Sequence, residues 1–268
     1  MKRLRMGTAC ALLLQAACGS EGGQSEAARV ADPTDSLFHP LHLTTDPREM
    51  ASKVFLPVGY DSSRSWPVIV FYHGSGERGT DGWEQTTVGL PRLLRVHPER
   101  VGAIVFAPQY SGSNRTIWSP ARASRALIDT VIARYHGDAD RVTITGTSLG
   151  ALAATQLALD APGDFAGLLL FGTDGCPVCQ PVMPDSARSG WQGRRLRGLP
   201  LWIWHGERDG YVDVARVRDY VAALRTAGAA VRYTEIAGGP HNVWDPAYAD
   251  SAVIGWLLRQ RRSTAARR

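Results

Sequence analysis

Short apolar runs alternate with amphipathic stretches along most of this chain. Pro67-Val68-Ile69-Val70-Phe71-Tyr72, Ala103-Ile104-Val105-Phe106-Ala107 and Gly167-Leu168-Leu169-Leu170-Phe171 are unbroken and apolar. Runs of that length mark strands covered on both faces, as in a parallel sheet. Lys53-Val54-Phe55-Leu56, Arg141-Val142-Thr143-Ile144-Thr145, Leu201-Trp202-Ile203-Trp204 and Val231 to Ile236 read as further strands, with the opening strands expected between Leu37 and Tyr60. Between these runs the apolar spacing changes to three and four. Leu90, Leu93 and Leu94 follow it, as do Ala123, Leu127, Ile128, Val131 and Ile132 within Ala121 to Tyr135. Helices are also predicted over Ala151 to Leu159, over Val214 to Ala227 closed by Gly228, and over Ala247 to Arg259. Gln109 to Pro120 reads as a polar loop. Thr173 to Pro200 reads as a loop of about 28 residues, long enough to wall a site. Strands alternating with helices predict one α/β domain: a mostly parallel central sheet, helices on both faces and no large cap domain.

Composition agrees with a single domain. The chain has 268 residues, 44% of them hydrophobic, enough for a sizeable core. Its formal charge of +5 is carried by the ends. Lys2, Arg3 and Arg5 stand at the start, and Arg259, Arg261, Arg262, Arg267 and Arg268 near the close. With those set aside the rest is net negative and shows no basic cluster, so a nucleic-acid partner is not expected.

The first residues read as an export signal. Lys2-Arg3-Leu4-Arg5 is a basic start, and Gly7 to Ala17 is apolar but too short to span a bilayer. Residues 1–17 are therefore assigned to a signal peptide. Ala16-Ala17-Cys18 resembles a bacterial lipobox, with Gln15 where leucine is usual, and makes Cys18 a candidate lipidation site. Plain secretion is the alternative. Residues 18–36, polar and glycine-rich, would tether the domain at 37–260 to that lipid anchor, the expected link to a membrane. A basic tail is assigned to 261–268.

Candidate chemistry gathers at predicted strand ends. Gly146-Thr147-Ser148-Leu149-Gly150 fits G-x-S-x-G, with a strand before it and a helix after it, the context of a nucleophilic serine turn. A serine hydroxyl needs a base to take its proton. His241, in a glycine-flanked loop after the last strand, is the candidate base. Asp209, after the strand before that, is the candidate to orient it. Asp213 and Asp174 are rivals for the acid. His73 and His205 each precede a glycine at a strand end and are read as loop braces. The oxyanion of an acyl-transfer intermediate needs two backbone N–H groups. Leu149 is expected to supply one, and Ser75, or alternatively Gly76, the other. Cys176 and Cys179 form C-P-V-C, for which a local disulfide is the simplest reading in an oxidising compartment. A redox centre or a zinc site lacks the supporting context or ligands. Trp83, Trp118, Trp191 and Trp244 are placed in loops beside the site, with Trp244 and Trp118 as candidate substrate-binding residues. No G-x-x-x-x-G-K-[ST] loop appears, and neither a nucleotide cofactor nor a metal is expected.

Taken together, Phe71 to Gly79, Gly146 to Gly150, His205-Gly206-Glu207-Arg208-Asp209 and Gly239-Pro240-His241-Asn242-Val243-Trp244-Asp245 resemble a group of α/β hydrolases. That group comprises predicted bacterial peptidases and carboxylesterases and is similar to dienelactone hydrolases, phospholipase/carboxylesterases and polyhydroxybutyrate or feruloyl-ester depolymerases. The resemblance covers Lys53 to Leu258. It implies the α/β-hydrolase fold, a Ser148–Asp209–His241 triad and cleavage of a small-molecule or polymeric ester without cofactor. Peptidase activity and a catalytically inactive binding lipoprotein are the alternatives. Pro240, where such sequences often carry glycine, and Asp213, where proline is common, depart from the group's pattern.

Overall fold

The structure, a computed structural model, describes residues 36–41, 51–111, 118–175 and 183–262, with 118–123 and 186 given by backbone alone. The signal peptide, nearly all of the tether, Cys18, Cys176, Cys179, the Trp118 side chain and the end of the basic tail lie outside the described residues.

Eight strands form one sheet: β1 (Phe38–Leu41), β2 (Ser52–Phe55), β3 (Trp66–Tyr72), β4 (Ile104–Ala107), β5 (Gly137–Thr147), β6 (Gly167–Phe171), β7 (Leu201–Gly206) and β8 (Val231–Ile236). Their order is β1-β2-β4-β3-β5-β6-β7-β8. The β1–β2 and β2–β4 pairs are antiparallel and the remaining pairs parallel. Chain order runs one way from β3 to β4 and then jumps to the other side of β3 for β5. Loops part at such a switch point, and open α/β sheets bind ligands there, beyond the strands' carboxyl ends.

Unbroken apolar strands serve two cores at once, because successive side chains leave opposite faces. Val68, Val70 and Tyr72 of β3 join one cluster, while Ile69 and Phe71 join the other; β6 and β7 divide in the same way. The first cluster is closed by α2 (Trp118–Arg134), α3 (Leu149–Asp160) and α5 (Val214–Thr226), through Leu127, Leu157 and Val221 among others. The second is closed by α1 (Gly89–Val96), α6 (Trp244–Ala249) and α7 (Ser251–Arg259), through Leu90, Leu94, Tyr248 and Ile254. Helices therefore cover both faces.

Three predicted segments differ from the structure. The stretch expected as a 28-residue loop holds a helix, α4 (Asp185–Arg195), with Trp191 in its middle. Its sequence, rich in Arg, Ser and Gly, carries too few apolar residues to show a helical period. Contact with α5 defines it instead: Tyr220 donates to Gln192 Oε1 at 2.8 Å, and a Cβ at Gly193 would lie 2.6 Å from that of Ala227. Helix α2 begins at Trp118, not Ala121, since Pro120 is tolerated in a first turn. The single final helix is two, α6 and α7. They break at Asp250, whose carboxylate accepts the Ala252 N–H at 2.8 Å and caps α7. Trp118, Trp191 and Trp244 are thus helical, not loop residues. Trp83 leads into a 3-10 turn, with the Arg95 guanidinium 3.5 Å above its ring.

Candidate active site

The loops that build the site follow β3, β5, β7 and β8 and leave the same carboxyl edge of the sheet. Tyr72 of β3 is paired with Gly146 of β5, and Gly206 of β7 with Ile236 of β8. The loop after β5 is the tightest. Ser148 sits at φ 51°, ψ −117°, a conformation an L-residue rarely adopts and one that costs on the order of 1–3 kcal/mol. The glycines on either side are there for space. A Cβ on Gly146 would lie 2.3 Å from the Gly150 oxygen, and one on Gly150 would lie 2.2 Å from the Tyr72 oxygen. Ser148 N donates to Phe171 O at 2.9 Å, which holds the turn against β6. Helix α3 starts at Leu149 and aims its unpaired first N–H groups back at the serine.

His241 reaches this serine from the loop after β8. Its Nε2 lies 2.9 Å from Ser148 Oγ, and its Nδ1 lies 2.6 Å from Asp209 Oδ2. Asp209 follows β7, and its side chain is fully buried. Burial alone would raise its carboxyl, but hydrogen bonds from His241, Val212 and Tyr211 outweigh that and hold it below the usual carboxylate range. A carboxylate can only accept, so His241 Nδ1–H is the donor. That leaves Nε2 of the neutral ring as an acceptor for the serine hydroxyl.

The rival acids are occupied elsewhere. Asp213 is the N-cap of α5, accepting the Ala215 N–H at 2.8 Å, and Asp174 pairs with Arg216 at 2.7 Å. The two bracing histidines are both buried. His205 Nε2 donates to Val212 O at 3.0 Å and so holds the loop carrying Asp209. His73 Nδ1 donates to Gly74 O at 2.7 Å, and its Nε2 accepts the Tyr110 N–H at 3.2 Å. Tyr110 stacks on the imidazole at 4.0 Å and returns its hydroxyl to His73 O at 2.8 Å. Burial pushes the His73 imidazole down to about 4.

The His73–Gly79 loop is fixed by a buried polar residue that the sequence reading passed over. Gln109 accepts the Gly82 N–H at 2.7 Å and donates to Glu77 O at 3.2 Å and Asp81 Oδ1 at 2.9 Å. Gly74 to Gly79 also matches the letters G-x-G-x-x-G. No helix opens at its last glycine, since α1 begins only at Gly89, so the phosphate-binding helix start is absent from this loop. Further residues that pattern alone did not single out tie the site together. Glu207 Oε2 accepts the Gly238 N–H at 2.6 Å, and Arg208 N donates to Gly239 O at 2.8 Å, linking the acid loop to the histidine loop. Asp245 accepts from Gly89 N at 2.9 Å, and from Arg92 and Asn242 at 3.0 Å each. Trp244, only 8% exposed, meets the His241 ring edge-on at 5.2 Å. Among the described residues no group of His, Cys, Asp and Glu could hold a metal ion, and no helix is long and apolar enough to cross a membrane.

This sheet and its serine turn give the chain the α/β-hydrolase fold. It belongs to the family described as "Putative esterase", which matches residues 44–216 and so takes in Ser148 and Asp209 but stops short of His241. It is similar to Esterase LipQ of Mycobacterium tuberculosis, 32% identical over 181 residues, 53% of this chain and 43% of that one. The chain thus spans less than half the length of this curated relative. Among solved structures, a thermostable esterase is 28% identical with a TM-score of 0.68, covering 85% of this chain and 64% of its own. The Pyrococcus horikoshii acylaminoacyl peptidase, 16% identical with a TM-score of 0.62 over 85% of this chain and 42% of its own, shares the fold.

Proposed function

We propose that this protein is a serine hydrolase that cleaves carboxylic esters through an acyl-enzyme, with Ser148 as nucleophile, His241 as base and Asp209 as its orienter. One observation carries the reading: an unbroken hydrogen-bond chain runs from Ser148 Oγ through His241 to the buried Asp209 carboxylate. In the first half-reaction Ser148 Oγ attacks the ester carbonyl while its proton passes to Nε2, and Asp209 stabilises the resulting imidazolium. The N–H groups of Leu149 and Ser75, with Gly76 as alternative, receive the carbonyl oxygen as it becomes negative. Nε2–H then protonates the departing alkoxide. Water, deprotonated by the same nitrogen, attacks the acyl-serine, and Nε2–H returns that proton to the departing Ser148 Oγ as the acid is released. Every proton is handled by these side chains, so the cycle asks for no cofactor.

Labelling with a fluorophosphonate, followed by turnover of simple acetate esters, tests this reading. The wild-type protein should label at Ser148 and hydrolyse esters. Ser148→Ala should not label and should lose activity by up to about 10⁶. A variant retaining a tenth of wild-type turnover would remove Ser148 from the reaction. Aminoacyl amides in the same assay separate esterase from peptidase: amide turnover matching ester turnover would make it a peptidase.

We also propose export and lipidation at Cys18, supported by the basic start, the short apolar run and the small residues before that cysteine. Mass spectrometry of the mature N-terminus is the check. An unmodified N-terminus downstream of Cys18 would mean plain secretion.

A further inference from the structure

Two aromatic rings touch the His241 imidazole, and they differ in kind. Trp244 meets it edge-on and is buried; its indole backs the base. Tyr211 lies 4.9 Å from the imidazole, ring centre to ring centre, tilted by 47°, and is 86% exposed. It is the most exposed large apolar side chain among the described residues. The core gains almost nothing from this ring, whose surface stays in water.

The ring is nevertheless mounted on rigid backbone. The same Asp209 carboxylate that orients His241 accepts the Tyr211 N–H at 2.8 Å and the Val212 N–H at 3.0 Å. His205 holds Val212 O from the other side at 3.0 Å. Tyrosine has only two side-chain torsions, so a ring on a fixed turn loses little freedom when something stacks on it.

Its position selects which part of an ester it can meet. In the reaction proposed above, Nε2 of His241 delivers its proton to the leaving oxygen. The alcohol portion of a bound ester therefore lies on the histidine side of Ser148, while the carbonyl oxygen points to the Leu149 and Ser75 N–H groups. Tyr211 is on the histidine side.

We infer that Tyr211 is a stacking surface for the alcohol portion of the substrate, and that the protein favours esters whose leaving alcohol carries a flat ring. The inference rests on the esterase reading of this site. An aromatic ring or the apolar face of a sugar would both present such a surface.

The test uses the full protein with benzyl acetate, an acetylated methyl glucoside, ethyl acetate and ethyl benzoate, comparing wild type, Tyr211→Phe and Tyr211→Ala by kcat/KM. That ratio reports steps up to departure of the alcohol. Tyr211→Ala should lower it about tenfold on a ring-bearing alcohol, as loss of one aromatic contact does. Ethyl acetate and ethyl benzoate should change by less than about twofold, and Tyr211→Phe should keep wild-type behaviour. A loss on benzyl acetate alone assigns an aromatic alcohol; a loss on the glucoside alone assigns a sugar. Equal changes on all four esters, a loss confined to ethyl benzoate, or no loss at all would overturn the inference. So would slower fluorophosphonate labelling of Tyr211→Ala, because that reagent carries no ring-bearing alcohol and would report damage to His241. A wild-type protein that neither labels nor turns over any ester overturns the esterase reading, and this one falls with it.

Discussion

Asp209 and Asp213 stand four residues apart in one loop, and their partners separate them. Asp209 is buried and bonded to His241, whereas Asp213 caps a helix. Asp209→Asn should cripple turnover, by about 10⁴ in a serine triad, because an amide can donate to Nδ1 and so favour the wrong tautomer. Asp213→Asn keeps a good cap and should stay near wild type, as should Asp174→Asn, whose partner is Arg216. Steady-state kinetics on one ester ranks the three. If Asp174→Asn were the most damaging, the acid would sit after β6. A second consequence at this scale concerns His73, whose imidazole burial pushes from an ordinary value near 6.5 down to about 4. Between those pH values the unfolded chain binds a proton that the folded one refuses. Stability from this group is therefore full above pH 6.5 and falls as pH drops toward 4, on the order of a few kcal/mol in all. Denaturant unfolding between pH 4 and 7 should show a steeper slope for wild type than for His73→Asn, which does not titrate. Parallel slopes would remove His73 as a source of acid sensitivity.

The elements around His241 hold it from two directions. Asp245 joins the histidine loop to α1, bonding Gly89 N, Arg92 and Asn242 together. Asp245→Ala leaves the Gly89 N–H without its acceptor and should cost about 1–3 kcal/mol of stability. It should also lower kcat by roughly tenfold, the scale of a slightly misplaced base. Unchanged kcat in a destabilised Asp245→Ala protein would make the link purely structural. Trp244 was expected to line an open cleft. Trp244 is buried and meets the His241 ring edge-on, so a change there would reach the imidazole whatever the substrate. Trp244→Phe should thus lower kcat for aliphatic and aromatic esters alike. A KM rise restricted to aromatic acyl esters would return Trp244 to the substrate.

Across the whole molecule the two residues Arg261 and Arg262, beyond α7, tie back to the sheet. Arg262 N donates to Asp140 O at 2.7 Å, and its guanidinium reaches Asp140 Oδ1 at 2.8 Å. Arg261 pairs with Asp138 at 3.0 Å but is more than half exposed. Partly buried and multiply bonded, Arg262 should be worth about 1–2 kcal/mol and Arg261 only about 0.5 or less. Arg262→Ala should lower Tm by roughly 2–8 °C while kcat/KM stays unchanged, because these contacts lie at the start of β5, far along the strand from Ser148. A catalytic effect of Arg262→Ala would mean that the strand transmits the change to the serine turn.

Much of this protein is determined by its sequence alone. Unbroken apolar strands between amphipathic stretches admit little besides a parallel sheet covered on both faces. G-x-S-x-G between a strand and a helix identifies Ser148, because only glycine fits beside so tight a turn. Chain order after the G-x-S-x-G turn points to Asp209 and His241 as its candidate partners. The rest needed the third dimension. Helix α4 has no apolar period of its own and exists through its contact with α5. Gln109, Glu207 and Asp245 are ordinary polar letters until loops far apart in sequence bring their partners within 3 Å or so. Four tryptophans look alike in the sequence, yet packing buries Trp244 edge-on against His241 and leaves a tyrosine, Tyr211, as the exposed ring beside that imidazole. Composition and spacing encode which residues can bury or react. Which surface is left uncovered depends on everything that packs around it.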